Sequence, residues 1–131
     1  MKTISLRNEV LKMVCGQSLA YTLPITPYVA LFTTAPAADG TGGVEVSGTG
    51  YARVSAASKF SAPSSGAVAN SAIIDFGTAG GAWGTIVAWA IMTASSSGTM
   101  VRKDALTPNV AVASGAPVSF GVGSLQMSEI S

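Results

Sequence analysis

A chain of 131 residues is long enough for one domain with its own core, and its lone cysteine, Cys15, excludes an internal disulfide framework. It contains no histidine, which removes the commonest zinc, copper and haem ligand and every Ser-His-Asp or Cys-His catalytic arrangement. Only 10% of residues are charged and the net charge is +1, which argues against nucleic acid as a partner and favours association between chains.

The apolar share is 48%, yet no apolar run approaches the roughly 18–20 residues of a spanning helix. Lys2, Arg7, Glu9 and Lys12 interrupt any secretory leader. These features predict a protein made in the cytoplasm, without membrane or nucleic acid as partner, whose partly apolar surface is covered by other protein.

In chain order, residues 4–15 form the one convincing helix. Leu6, Val10, Leu11 and Val14 recur at helical spacing, Ser5 is the candidate N-cap and Gly16 the stop. Residues 19–27, with Pro24 and Pro27, are a connector. Tyr28–Thr34 is apolar on both faces and reads as a central strand. Residues 35–50, rich in Pro, Asp, Gly and Thr, read as a long exposed loop. Strands follow at 51–58 and 72–76, separated by a turn at 61–66, with a flexible glycine run at 77–81. Trp83–Thr93 is a second strand apolar on both faces, and Ser95–Gly98 turns it into a strand over 99–106. A short strand over 110–113 and a last one over 117–127 complete the chain, with Val118, Phe120, Val122 and Leu125 pointing inward. About seven or eight strands at near-regular spacing predict one all-β domain over 1–131, a β-sandwich or jelly-roll-like barrel with an N-terminal helix.

Chemistry-bearing constellations are sparse. Asp39 and Glu45 share a loop and would suit a cation such as calcium, but two solvated acids far short of its 6–8 oxygens is the preferred reading. Gly48-x-Gly50 lacks the rest of a dinucleotide fingerprint and reads as a strand-entry turn. Cys15, beside the helical stripe, reads as a buried packing residue. Trp83 and Trp89 read as core; if exposed, they and Tyr51 would be contacts for a partner or a glycan. Arg53 divides between a solvated face and a hydrogen-bonding fork between subunits, and Arg102-Lys103-Asp104 reads as charge that blunts a strand edge. The candidate partner contacts are therefore Tyr51, Arg53, Trp83, Trp89, Arg102 and Lys103. No catalytic set, cofactor or metal site is assigned.

The string from Tyr28 through Phe32 to Pro36, followed by Gly43-Val-Glu-Val-Ser-Gly-Thr-Gly-Tyr-Ala-Arg53, resembles a family of small tailed-phage virion proteins labelled tail-fibre-like or minor structural. Asn70 to Phe76, Trp83-Gly-Thr85, the apolar strand ending at Ala94, and the opening Leu6 to Leu11 fit the same order. Arg102-Lys103 departs from it, since relatives tend to be apolar there. The resemblance implies a non-enzymatic bacteriophage structural protein located in the virion. The expected role is a capsid decoration or cement protein, a homo-oligomer that binds the major capsid protein or other virion proteins. The alternative is a tail, collar or fibre-associated component, structural or receptor-contacting. A fibre shaft fits less well, because the chain has neither repeats nor heptads.

Overall fold

The structure is a computed structural model that describes residues 2–21 and 25–128. Among these residues one helix, α1 (Ile4–Val14), precedes nine strands: β1 (Tyr28–Thr34), β2 (Val44–Glu45), β3 (Val54–Ser55), β4 (Ala67–Ala69), β5 (Ile74–Thr78), β6 (Gly84–Met92), β7 (Met100–Val112), β8 (Pro117–Phe120) and β9 (Gln126–Ser128). All pairings are antiparallel. One sheet runs β2-β1-β6-β7, with β3 sharing the β2 side of β1, and the smaller pairs are β5-β8 and β4-β9. The architecture is an open, sandwich-like all-β fold and not a closed barrel.

The core lies between these layers. Val29 and Leu31 of β1, Ile86, Trp89 and Ile91 of β6, and Val101, Leu106 and Val112 of β7 meet Ile74 and Phe76 of β5, Val118 and Phe120 of β8, and Leu125. The alternate residues of the large sheet, Ala30, Phe32, Ala88, Ala90, Met92 and Met100, are also buried, as the two-faced pattern of β1 and β6 predicts. Part of the segment expected to be an exposed loop reaches this second face. Gly43 lies so close to Pro36 and Phe32 that a β-carbon would stand 2.8 Å and 3.2 Å from them, and Gly40 lies over Met100. Pro36 is buried, and Ala38 accepts a hydrogen bond from the Ile4 amide. Much of the 35–50 loop is exposed, as expected, but Pro36, Gly40 and Gly43 fold back against Phe32 and Met100 on this face.

Several boundaries differ from expectation. The predicted strand over 51–58 shortens to Val54–Ser55, because residues 48–51 form a turn closed by Tyr51 N–H to the Gly48 carbonyl. Ala67–Ala69, unassigned from sequence, becomes β4 by pairing with β9. The glycine run lends its first two residues to β5, where Gly77 takes φ +78° at a bulge. The strands at 99–106 and 110–113 are one, β7. Between Ala105 and Val110 it bulges, with residues 106–109 facing Val87 alone, and Pro108 is accommodated there. The last predicted strand is two, β8 and β9, with a turn between them that leaves Val122 exposed and Leu125 buried.

Asn70 holds that turn. Its side-chain amide donates to the carbonyls of Ala72 (2.9 Å) and Gly121 (2.8 Å), and its side-chain oxygen accepts from Leu125 N–H (2.9 Å). Its backbone exchanges further bonds with Leu125 and Gly123. Because the residue is fully buried, removing the amide strands several polar groups at once. Asn70→Ala is expected to lower unfolding free energy by about 2–4 kcal/mol, measured by urea titration, whereas Ser71→Ala beside it stays within about 0.5 kcal/mol.

Candidate functional site

The densest polar cluster is built by the Gly48-to-Arg53 stretch. Gly48 presses against Trp83, where a β-carbon would lie 2.4 Å from the indole Cδ1, so only glycine fits. Trp83 donates its indole N–H to the Thr49 carbonyl at 3.0 Å, and the Gly80 amide donates to the same oxygen at 2.9 Å. Gly50 takes φ +84°. This turn swings Tyr51 inward, where its ring lies near-parallel to Phe76 at 6.1 Å and edge-on to Trp83 at 5.4 Å.

The Tyr51 hydroxyl accepts from Leu31 N–H on β1 (3.0 Å) and donates to Glu45 on β2 (2.7 Å). Arg53 meets the same carboxylate with two bonds of 2.9 Å, from Nε and from an Nη. Its other Nη donates to the carbonyls of Ala94 (2.9 Å) and Ser97 (2.7 Å), in the turn between β6 and β7. One arginine fork thus ties β2 to the hairpin tip beyond it, a geometry that lysine cannot reproduce. Burial pushes the Glu45 carboxyl up, but the bonds from Arg53 and Tyr51 and the guanidinium charge outweigh it and hold the group below its ordinary 4.5. Burial and the neighbouring carboxylate both raise the Tyr51 hydroxyl. The bond to Glu45 raises Arg53 as well.

The remaining candidates fall elsewhere. Trp83 and Trp89 are both in the core, and neither offers a ring face to solvent. Arg102 does not blunt an open edge. It is 8% exposed, and β7 there is paired with Lys2, while Thr3 N–H bonds the Val101 carbonyl. Arg102 is an ion-pair partner of Asp104 at 3.7 Å, and burial lowers its pKa against that carboxylate's pull. With Lys2, Leu6, Pro63, Val68 and Met127 it lines a mainly apolar cleft of about 290 Å³. Lys103 is half-buried on the opposite face of β7, beside Ala90 in the register. Tyr51 and Arg53 are thus brought together; Trp83 touches them through Tyr51; Trp89, Arg102 and Lys103 stand apart.

The two acids of the 35–50 loop are engaged separately. Asp39 accepts from Thr41, at 3.0 Å from the amide and 2.6 Å from the hydroxyl, while Glu45 is held by Arg53 and Tyr51. Asp75 accepts from Gly77 N–H at the β5 bulge, in a different sheet from Asp104. Among the described residues no three His, Cys, Asp or Glu side chains converge, and no helix is long and apolar enough to cross a membrane. Cys15, expected to be buried, is exposed as the C-cap of α1.

Sequence reasoning missed Glu45 as Arg53's partner. The signal was present: an acid on one side of a Gly-x-Gly turn and an arginine on the other are brought level when the turn reverses the chain. It also missed Glu9, a buried acid that accepts from Lys12 and from the Ala20 amide.

This is the build of a structural β-module, in which the motif's polar groups are satisfied within the chain and fasten its strands. The chain belongs to the family described as Podophage GP4 fiber I protein gp80, whose model matches residues 2–128, and it is a bacteriophage structural protein. No curated protein matches it significantly. The family is a fibre family, which favours the fibre-associated alternative over the capsid-decoration reading.

Two outcomes test the latch. Because folded Glu45 titrates below its unfolded value, its contribution is complete above about pH 4.5 and is lost as pH falls through the folded value. Glu45→Gln is expected to be less stable at neutral pH by about 1–3 kcal/mol and to show a shallower acid-side loss, measured by urea melts at several pH values. Gly48→Ala is expected to be destabilised by about 1–3 kcal/mol, with a shift in tryptophan emission as Trp83 is displaced.

Proposed function

We propose that this chain is a non-enzymatic subunit of the virion's fibre apparatus, a compact adaptor or tip component that binds other virion proteins and copies of itself. The observation that carries this reading is the match of a fibre family over residues 2–128, which spans the whole β-domain and not a fragment of it. The geometry supports a rigid connector. Its most prominent charged cluster binds strands together, its tryptophans fill the core, and among the described residues its acids are engaged one by one in turns and ion pairs. A shaft is disfavoured, since shafts are built from repeats or heptads and the sequence carries neither. Low net charge lets subunits approach each other without strong repulsion.

The test is copy number and position on purified particles, by quantitative mass spectrometry against the major capsid protein together with immunogold labelling. The expected outcome is a few to a few dozen copies, with label at the tail or its fibres. Hundreds of copies with label over the head would restore the cement reading and overturn this one.

A further inference from the structure

The cleft beside α1 brings two cations face to face. Lys2 and Arg102 stand opposite each other in an antiparallel bridge, and both line the mainly apolar cleft with Leu6, Pro63, Val68 and Met127. Side chains opposed in this way have β-carbons about 4.5–5.5 Å apart, and like charges there repel. The Arg102 side chain is only 10% exposed, so water and salt screen little of that repulsion. Asp104 stands 3.7 Å from Arg102, beyond the roughly 2.7–2.9 Å of a charge-assisted hydrogen bond. Among the described residues the lining of the cleft carries these two cations and no acid.

The sequence holds six acids. Glu9 is held by Lys12 and the Ala20 amide, Asp39 by Thr41, Glu45 by Arg53 and Tyr51, and Asp75 by the Gly77 amide. With Asp104 beside Arg102, the sixth is Glu129, which follows directly on β9 in the sequence. The Ser128 carbonyl accepts from an Arg102 Nη at 3.4 Å, so the guanidinium stands at the peptide group that joins residue 128 to residue 129. Met127 lines the cleft, and in extended chain residues two apart share a face.

We propose that Glu129 straps β9 to the N-terminal segment, its carboxylate set between Arg102 and Lys2 at the cleft. One acid between two opposed cations replaces repulsion with attraction on both sides. The strap fastens the last strand to Lys2 as Glu45 fastens the loop to the β6-β7 turn. It also secures the anchor of α1, because Thr3, next to Lys2, caps the helix and bonds the Val101 and Met100 carbonyls of β7. The strap is independent of where on the particle the chain sits.

Urea titration of the full chain at neutral pH and low salt tests it with Glu129→Gln, Lys2→Gln and the double variant. Arg102 is left in place, because its loss would disturb the packing around it. Glu129→Gln is expected to raise the unfolding equilibrium constant at least about threefold in the wild-type chain, and by less in the Lys2→Gln chain, where one of its two partners is gone. Hydrogen exchange supplies a second reading. Glu129→Lys sets three cations together and is expected to speed exchange of the Thr3 amide at least about tenfold, while the Leu31 amide of β1 is unchanged. That contrast separates release of the N-terminal segment from general unfolding. Equal effects of Glu129→Gln with and without Lys2, or a Thr3 amide indifferent to Glu129→Lys, would overturn the proposal. So would an effect of Glu129→Gln that grows with chain concentration, which would place the acid on a second copy.

Discussion

Everything in this molecule follows from the burial of β1 and β6 on both faces. Val29, Leu31, Trp89 and Ile91 point one way, while Ala30, Phe32, Ala88 and Ala90 point the other, and all eight are buried. A strand apolar on both sides needs two covers. The first is the β5-β8 and β4-β9 layer, whose large side chains fill the main core. On the second face Tyr28 and Val87 pack beside the small alanines, and the loop after β1 brings Gly43 against Phe32 and Gly40 over Met100.

That loop sets the demand that the glycine-tyrosine-arginine motif meets. A loop laid over a sheet has no ladder of its own to hold it. Glu45, Tyr51 and Arg53 supply the fixings, reaching the β1 backbone in one direction and the β6-β7 turn in the other. The motif that makes the family recognisable is therefore a fastening. Its polar groups are satisfied within the chain, and this is the physical reason that the most conspicuous charged cluster carries no catalytic arrangement. For a bacteriophage structural protein, such a fastening contributes a fixed shape.

The helix shows the same logic inverted. Its C-terminus closes as glycine at that position dictates: Gly16 takes φ +73°, Gln17 N–H bonds the Lys12 carbonyl and Gly16 N–H that of Met13. Its N-cap is Thr3 rather than Ser5, because Thr3 also reaches β7, donating its hydroxyl to the Met100 carbonyl. Anchored there and at Glu9, the helix has its rotation fixed by polar contacts, with Leu6 against the core and Leu11 and Val14 exposed.

The sequence by itself determined the fold class, the two central strands, the helix span and stop, and the β6-β7 turn. Each rests on periodicity or on glycine and proline chemistry within a few residues. It was also sufficient for the phage-protein resemblance, since the motif from Gly43 to Arg53 is contiguous. Only the tertiary structure decided that β7 runs through Pro108, that Ala67–Ala69 is a strand, that Pro36, Gly40 and Gly43 fold back against the sheet, that Glu45 is the partner of Arg53, and that α1 docks with Glu9 buried. These depend on contacts between residues far apart in the chain. An edge strand with little side-chain pattern exists only because its partner does, and a helix with one stripe and one well-placed acid can dock on either face. Local pattern says which faces differ; the fit of the whole says which one goes in.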